Sequence, residues 1–432
     1  MPEKKEDEFA FIKEKIKDKP VSKRQVLSKV AVLLVSAVAF GLIACLVFTL
    51  VQPYMQEWLY PEEKPVVTIP KDELEPETER EPEKDSETEN AAPVYITETQ
   101  ELETTDYQKL QNKIYAIGEE QNKSIVTVTG VKSDMDWFNT PYESSGQASG
   151  VVIANNGQEL LILTEKKVIT DAQAIRVTFV DGAIVNAVLK QYDGNTGVAV
   201  LSVALSDIPD ATLGAIKTAV LGNSYAVQPG TVVIALGSPL GANFSILTGD
   251  ITATGNSVST LDATYHVLNT DIVGNSSGSG VLINLNGEIV GLIMQGYSSG
   301  SDTNTLTAVS ISELKEVIEK LSNNQSIPYL GAKLSTVTDE ISASYDLPKG
   351  VYVKSVEMDS PAMNAGLQSG DVIVELNGAE ITNVSDYTEK LLSLSPNTNV
   401  SIAVKRQGTD GYTKITCTAV VGVLESILED WT

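Results

Sequence analysis

Apolar and polar positions change rhythm several times along this chain. Residues 30–51 contain no charge, a run of about 22 residues, or roughly 33 Å as a helix, which matches a bilayer core. From 124 onward the apolar residues come in short continuous or alternating runs, the pattern of strands. The first series covers 124–131, 148–154, 160–164, 175–179, 184–191 and 198–203. Turn residues such as Asn155-Asn156-Gly157 and Asp181-Gly182 separate its members. A second series covers 232–237, 245–254, 265–270, 280–285 and 288–294, with Asn286-Gly287 predicting a tight hairpin between the last two. Helical spacing is confined to 107–120, 312–321 and 386–394. Many short strands in two sets predict a mainly β protein built on two small antiparallel barrels.

The uncharged run carries an orientation. Lys13, Lys15, Lys17, Lys19, Lys23, Arg24 and Lys29 precede it, and Glu57, Glu62 and Glu63 follow. The basic side stays cytoplasmic, so everything after residue 51 is expected outside, tied to the lipid bilayer by one transmembrane helix. A cleaved signal peptide would have a shorter apolar core. Leu42-Ile43-Ala44-Cys45 has the form of a lipoprotein cleavage box, but Leu46 to Val51 would then open the mature chain with apolar residues where a polar tether belongs. The uncleaved anchor is the better reading. Residues 52–106, rich in Glu, Pro and Thr, bury too little to offset their ordering entropy and read as a disordered acidic spacer. The expected organisation is a basic N-terminus (1–29), an anchor (30–51), a linker (52–106), a double barrel (107–322), a second domain (327–421) and a tail (422–432).

Composition narrows the chemistry. A formal net charge of −26 argues against nucleic acid, which needs a basic face. Cys45 and Cys417 are the two cysteines, one of them in the apolar run, so neither a disulfide nor a thiolate metal site is expected. No metal or other cofactor is expected. The single histidine, His266, lies mid-strand and reads as a solvent-facing or locally packed side chain.

Specific motifs then carry a resemblance. Ser149-Gly150-Val151-Val152-Ile153 with Ile162-Leu163-Thr164, Ala235-Leu236-Gly237-Ser238-Pro239-Leu240-Gly241, and Thr270-Asp271 followed by a Gly/Ser-rich loop and Asn284-Leu285-Asn286-Gly287-Glu288-Ile289-Val290-Gly291 occur in that order. Together they resemble the HtrA family of trypsin-like serine proteases. The resemblance implies a trypsin-like double β-barrel and, as the family's usual assembly, a homotrimer. It also implies a Ser-His-Asp triad, in which an imidazole takes the serine proton and a carboxylate fixes the imidazole tautomer.

Here the triad positions are altered. The family histidine falls on Lys167 and the aspartate on Gly197. Counting forward from Asp271 puts Ser279 at the nucleophile; counting back from Asn284 puts Gly278 there, so the loop that forms the oxyanion nest is about one residue off the family length. Two readings follow: a pseudoprotease, or a serine endopeptidase with Lys167 as the base for Ser279, which requires a desolvated, neutral lysine. Glu165 and Lys166 mark that turn as polar and hydrated, which favours a charged lysine and the first reading.

Residues 327–421 resemble an HtrA-type PDZ domain, through Tyr329-Leu330-Gly331-Ala332, Ser360-Pro361-Ala362-Met363-Asn364-Ala365-Gly366-Leu367, Gly370-Asp371-Val372-Ile373 and Asn377-Gly378. Ser360 suits an N-cap, Pro361 the first helical position and Gly366 a left-handed stop. The resemblance implies strand addition of an extended peptide, its terminal carboxylate held by backbone N–H groups of Tyr329, Leu330, Gly331 and Ala332 beside an apolar slot at Leu391. The expected partners are peptide C-termini or unfolded protein segments, and the expected role is a scaffold or an envelope quality-control factor.

Overall fold

The computed structural model describes residues 34–38, 40–44, 47, 65–72, 103–135, 141–298 and 304–424. The chain divides into two units, Met1–Lys64 and Pro65–Thr432. In the first, the described residues are helical. No helix among the described residues is long and apolar enough to cross a membrane. The remainder of the 30–51 run, with Cys45, lies outside the described residues, as do the basic N-terminus, positions 52–64 and 73–102 of the linker and the tail beyond 424.

In the second unit the two expected strand series form two closed sheets. β1 (Ile125–Met135), β2 (Pro141–Asn155), β3 (Glu159–Glu165), β4 (Ala174–Thr178), β5 (Ile184–Tyr192) and β6 (Val198–Ala204) close a barrel in the order β1-β2-β3-β6-β5-β4. The second series begins with the short β7 (Val220–Leu221). It continues through β8 (Val232–Ser238), β9 (Ser245–Ser259), β10 (Thr264–Val273), β11 (Ser279–Ile283), β12 (Glu288–Met294) and β13 (Thr305–Ser310). Its order is β11-β8-β9-β10-β13-β12, and a further β11–β12 pairing closes it, with β7 parallel to β12 at the edge. β7 and β13 are the barrel strands that the sequence pattern missed; β7 has two residues, and β13 is short and runs straight into the helix Ile311–Ser322.

Period-two alternation assigns each strand's side chains to two different cores. In β3 and β6, Leu160, Ile162, Ala199 and Leu201 fill the first barrel. Their neighbours Leu161, Leu163, Val198 and Val200 face outward into a second cluster shared with Ile234, Leu236, Val281, Ile283 and Met294 of the other barrel. Inside the second barrel lie Val233, Ala235, Leu282, Val290 and Ile293. The apolar stripe of the helix Ile311–Ser322, formed by Ile311, Leu314, Val317, Ile318 and Leu321, seals the shared cluster.

The spacer reading does not extend to 65–72. Val67 and Ile69 pack against the shared cluster. Asn323 brackets Val67, accepting its N–H at 2.9 Å and donating to its carbonyl at 2.7 Å. The Ile69 N–H donates to Glu319, and Asp72 accepts from Ser312 and Lys315. Two apolar residues and matched hydrogen bonds offset the ordering cost of so short a segment. The following helix begins at Thr104, slightly before the expected boundary, inside a capping box between Glu103 and Asp106.

The C-terminal domain is a sheet of Ala332–Val337, Gly350–Val356, Val372–Leu376, Asn399–Gly408 and Gly411–Val420 in that order, with the helix Val384–Leu392 packed on it. Ser360 caps its helix by accepting the Met363 N–H, Pro361 follows, and Gly366 has φ +84°. Asn377 and Gly378, at φ +50° and +79°, turn the chain as a type I′ pair requires. Arg406 holds the buried Asp371 carboxylate through two bonds of 2.7 Å. The beginning of the expected tail is ordered: Gly422–Val423 pairs with Pro328–Tyr329. Cys417 is a buried free thiol.

His266 is half exposed on β10, and Glu313 of the neighbouring helix engages both its ring (Nδ1 to Oε1, 2.5 Å) and its backbone N–H (2.6 Å). The hydrogen bond to Glu313 raises the histidine pKa against the pull of desolvation. A raised folded pKa stabilises fully below the unfolded value of about 6.5 and loses its effect as pH rises through the folded value. A His266→Gln substitution should therefore lower the melting temperature more at pH 5.5 than at pH 8.5. The expected difference is a few tenths to about 1 kcal/mol, given the exposure of the pair. Equal shifts at both pH values would show that the pair adds no stability. Leu163 is 0% exposed at the junction of the barrels. Leu163→Ala should cost about 2–5 kcal/mol in denaturant unfolding, and a loss under 1 kcal/mol would mean that the junction can collapse around the gap.

Candidate functional site: the triad positions and the C-terminal groove

The motif residues converge where the barrels meet. Ser149 of β2, Gly237 of β8 and Ser279-Gly280 of β11 approach so closely that a Cβ on Gly237 would lie 2.7 Å from Ser149 Oγ and 2.8 Å from Gly280 Cα. Gly237 and Gly280 have φ of +115° and +134°, which also favour glycine. The Ser279 hydroxyl accepts the Ser149 N–H at 3.0 Å, and Ser279 is 1% exposed. Ser149 Oγ in turn donates to Asn243, which donates to Thr127.

The loop before Ser279 is closed on itself. Asn275 Oδ1 accepts both the N–H and the hydroxyl of Ser277, and the Asn275 carbonyl accepts the Gly278 N–H at 2.9 Å and Gln295 Nε2 at 3.2 Å. The backbone N–H groups of Ser277 and Gly278 are thus engaged within the loop.

Lys167 stands in a 3₁₀ turn, Lys166–Val168, at the end of β3. Its ammonium pairs with Glu165 at 2.8 Å, and no hydrogen bond joins it to Ser279 among the described residues. The expectation of a hydrated turn fails at Glu165, which is 7% exposed. β3 is apolar on both faces, and its last residue follows the strand into the interior. Burial pushes the Glu165 carboxyl up from its usual range while Lys167 pulls it down, and Glu165 Oε1 has no partner among the described residues. Lys166 lies over the Tyr192 ring, 3.9 Å from its centroid. Gly197, at φ +76°, ends a turn in which the buried Asp193 accepts from the backbone of Asn195 and Thr196 and from the Thr196 hydroxyl. His266 is tied to Glu313 and has no hydrogen bond to Ser279 among the described residues.

The groove of the C-terminal domain contains a carboxylate. The turn between β9 and β10 projects from the second barrel, and Asp262 at its tip sits at φ +60°. Its Oδ2 accepts the N–H groups of Leu330 (2.8 Å) and Gly331 (2.6 Å), and its Oδ1 accepts that of Ala332 (3.1 Å). The Tyr387 hydroxyl donates to Oδ1 at 3.0 Å. Burial pushes the Asp262 carboxyl up and these donors pull it back; burial likewise pushes Tyr387 up, so its hydroxyl stays protonated and donates. Three of the four expected N–H donors thus meet on one carboxylate, that of Asp262. Tyr329 instead pairs with Gly422 and lays its ring against Gly331, whose φ is +91° and whose added Cβ would lie 2.5 Å from Ser360 Cβ. The need for glycine comes as much from this crowding as from ligand approach. Leu391 is 2% exposed, with its side chain in the domain core. Asp262 lies in a turn without sequence signature, so sequence reasoning had no signal for it.

Comparison with known proteins agrees with these features. The trypsin-like peptidase domain matches residues 148–292, and the PDZ domain matches residues 328–416. A "Probable periplasmic serine endoprotease DegP-like" of Pseudomonas fulva is 32% identical over 63% of this chain and 56% of its own length. The "Serine protease Do-like HtrA" of Lactobacillus helveticus is 28% identical over 64% of this chain and 70% of its own. The chain therefore spans little more than half the length of the DegP-like relatives it matches. Among solved structures, the HtrA-type protease AlgW with a decapeptide superposes at TM-score 0.53 with 22% identity, covering 72% of this chain and 98% of that one. The same protease with a tripeptide gives 0.52 and 25%, over 72% and 97%. With both domains matched in the order that the fold presents them, the chain carries a trypsin-like peptidase domain followed by a PDZ domain and is similar to proteins named as HtrA-type and DegP-like serine proteases.

Proposed function

We propose that this chain is a membrane-tethered, extracytoplasmic HtrA-like pseudoprotease that binds peptide tails or unfolded segments through its PDZ domain, as a scaffold or envelope quality-control factor. The observation that carries it is the pairing at the triad positions. Lys167 is bound to Glu165, position 197 is glycine, and Ser279 is buried against the Ser149 N–H. A nucleophilic serine needs a base within hydrogen-bond reach and an approach for substrate. Support for tail capture comes from the Leu330–Ala332 N–H groups, which hold a carboxylate. The same donor set suits a peptide terminus. The AlgW structures named for a bound decapeptide and tripeptide favour the same use of the domain. Tethering rests on the uncharged 30–51 run and the lysines before it. Relatives named as periplasmic agree with an extracytoplasmic location.

The second reading is an active serine endopeptidase with Lys167 as the base for Ser279. It is favoured by relatives named as serine endoproteases. Labelling of the full chain with a fluorophosphonate probe separates the two. The pseudoprotease should show no labelling and no cleavage of casein. Labelling that disappears in Ser279→Ala would overturn the pseudoprotease and make Lys167 the next position to substitute.

A further inference from the structure

The contact between Asp262 and the PDZ groove has the features of a ligand complex. Beyond the four donors on its carboxylate, Asp262 donates its own N–H to the Ala332 carbonyl at 2.7 Å, and its carbonyl accepts from Thr388 at 2.8 Å. Leu261 forms an antiparallel bridge with Lys333. A carboxylate in a backbone nest, followed by a strand-like pairing with the domain's edge, is the geometry of β-augmentation, supplied here by an internal turn. The groove around it is filled. The space beside the turn, lined by Tyr265, Tyr329, Thr388 and Leu391, measures about 20 Å³, room for little more than one water.

We propose that the β9–β10 turn is a built-in competitor, and that a peptide carboxylate binds this PDZ domain only by displacing Asp262. The proposal rests on the tail-capture reading above. Two observations make displacement feasible. The turn engages only the first residues of the edge strand Ala332–Val337, pairing at Ala332 and Lys333. That strand ends its sheet, so an extended peptide can gain ladder bonds along the remainder that the turn does not make. The turn's advantage is that of a tethered ligand, whose effective concentration is on the order of millimolar for a short connection.

Displacement reaches the triad positions through Asn195. Its side chain accepts the Leu261 N–H (3.1 Å) and donates to the Leu261 carbonyl (2.7 Å) and the Thr260 hydroxyl (3.2 Å). Its own N–H is held by Asp193 in the turn that ends at Gly197, and the Tyr297 hydroxyl donates to Thr196 in the same turn. A peptide in the groove therefore frees a segment attached to the loop where the family carries its aspartate.

The test measures binding of the full chain to an array of decapeptides with varied free C-termini, each with an amidated twin. Native chain, Asp262→Ala and Asn195→Ala are compared. Among the described residues Asn195 makes its side-chain hydrogen bonds to the turn alone, so its variant loosens the turn and leaves the nest intact. Both variants should bind the free-carboxylate peptides at least about tenfold more tightly than the native chain, because a competitor lowers apparent affinity by the fraction of time it holds the site. The amidated twins should show no gain. A measurement on the native chain needs no variant: peptide at saturation should speed hydrogen exchange at the Asp262 amide, whose N–H now bonds to Ala332. Equal binding by all three chains, or an unchanged Asp262 amide, overturns the competitor and leaves tail capture standing. No carboxylate-dependent binding by any of the three overturns both.

Discussion

Strands β3, β6, β8, β11 and β12 bury side chains on both faces, and the two barrels depend on this arrangement. One face of each fills its own barrel; the other joins a common cluster that includes Leu161, Leu163, Ile234, Leu236, Val281 and Met294. Neither barrel can shed its outer apolar face to water without exposing that cluster, so the two behave as one body held by hydrophobic burial. The helix Ile311–Ser322 and residues Val67 and Ile69 close the remaining side of the same cluster.

The same junction brings Ser149, Gly237, Ser279 and Gly280 together. The trypsin-like frame is therefore kept by packing, independently of the residues placed upon it. Lys167 and Glu165 form an ion pair at the end of β3, and the Asn275 side chain and carbonyl take up the N–H groups of Ser277 and Gly278. The buried polar groups around this junction find partners nearby, as burial requires; Glu165 Oε1 is an exception.

The PDZ domain is attached to the barrels through charge as well as apolar contact. A carboxylate taken from water is costly unless it accepts several hydrogen bonds. Asp262 receives four, all from the C-terminal domain. The contact fixes the β9–β10 turn against the groove, and Asn195 extends it to the loop ending at Gly197.

Much of the fold was legible because its signals are local. Alternation identified eleven of the barrel strands, Asn286-Gly287 marked a hairpin, and Ser360-Pro361 with Gly366 marked a short helix and its stop. The motif at 329–332 also drew attention to the Leu330, Gly331 and Ala332 N–H groups, which here meet the Asp262 carboxylate. Burial of Glu165, docking of 65–72 and the engagement of Asp262 were not legible, since each depends on what another part of the chain places beside it. Glu165 follows a strand whose far face is covered, the 65–72 segment meets a helix some 250 positions later, and Asp262 meets Gly331 across 69 positions. Local pattern determined which residues form strands, turns and caps, because backbone conformation and amphipathic period act over a few neighbours. Only the tertiary structure decided which charges are buried and what they touch, because that depends on surfaces contributed by distant segments.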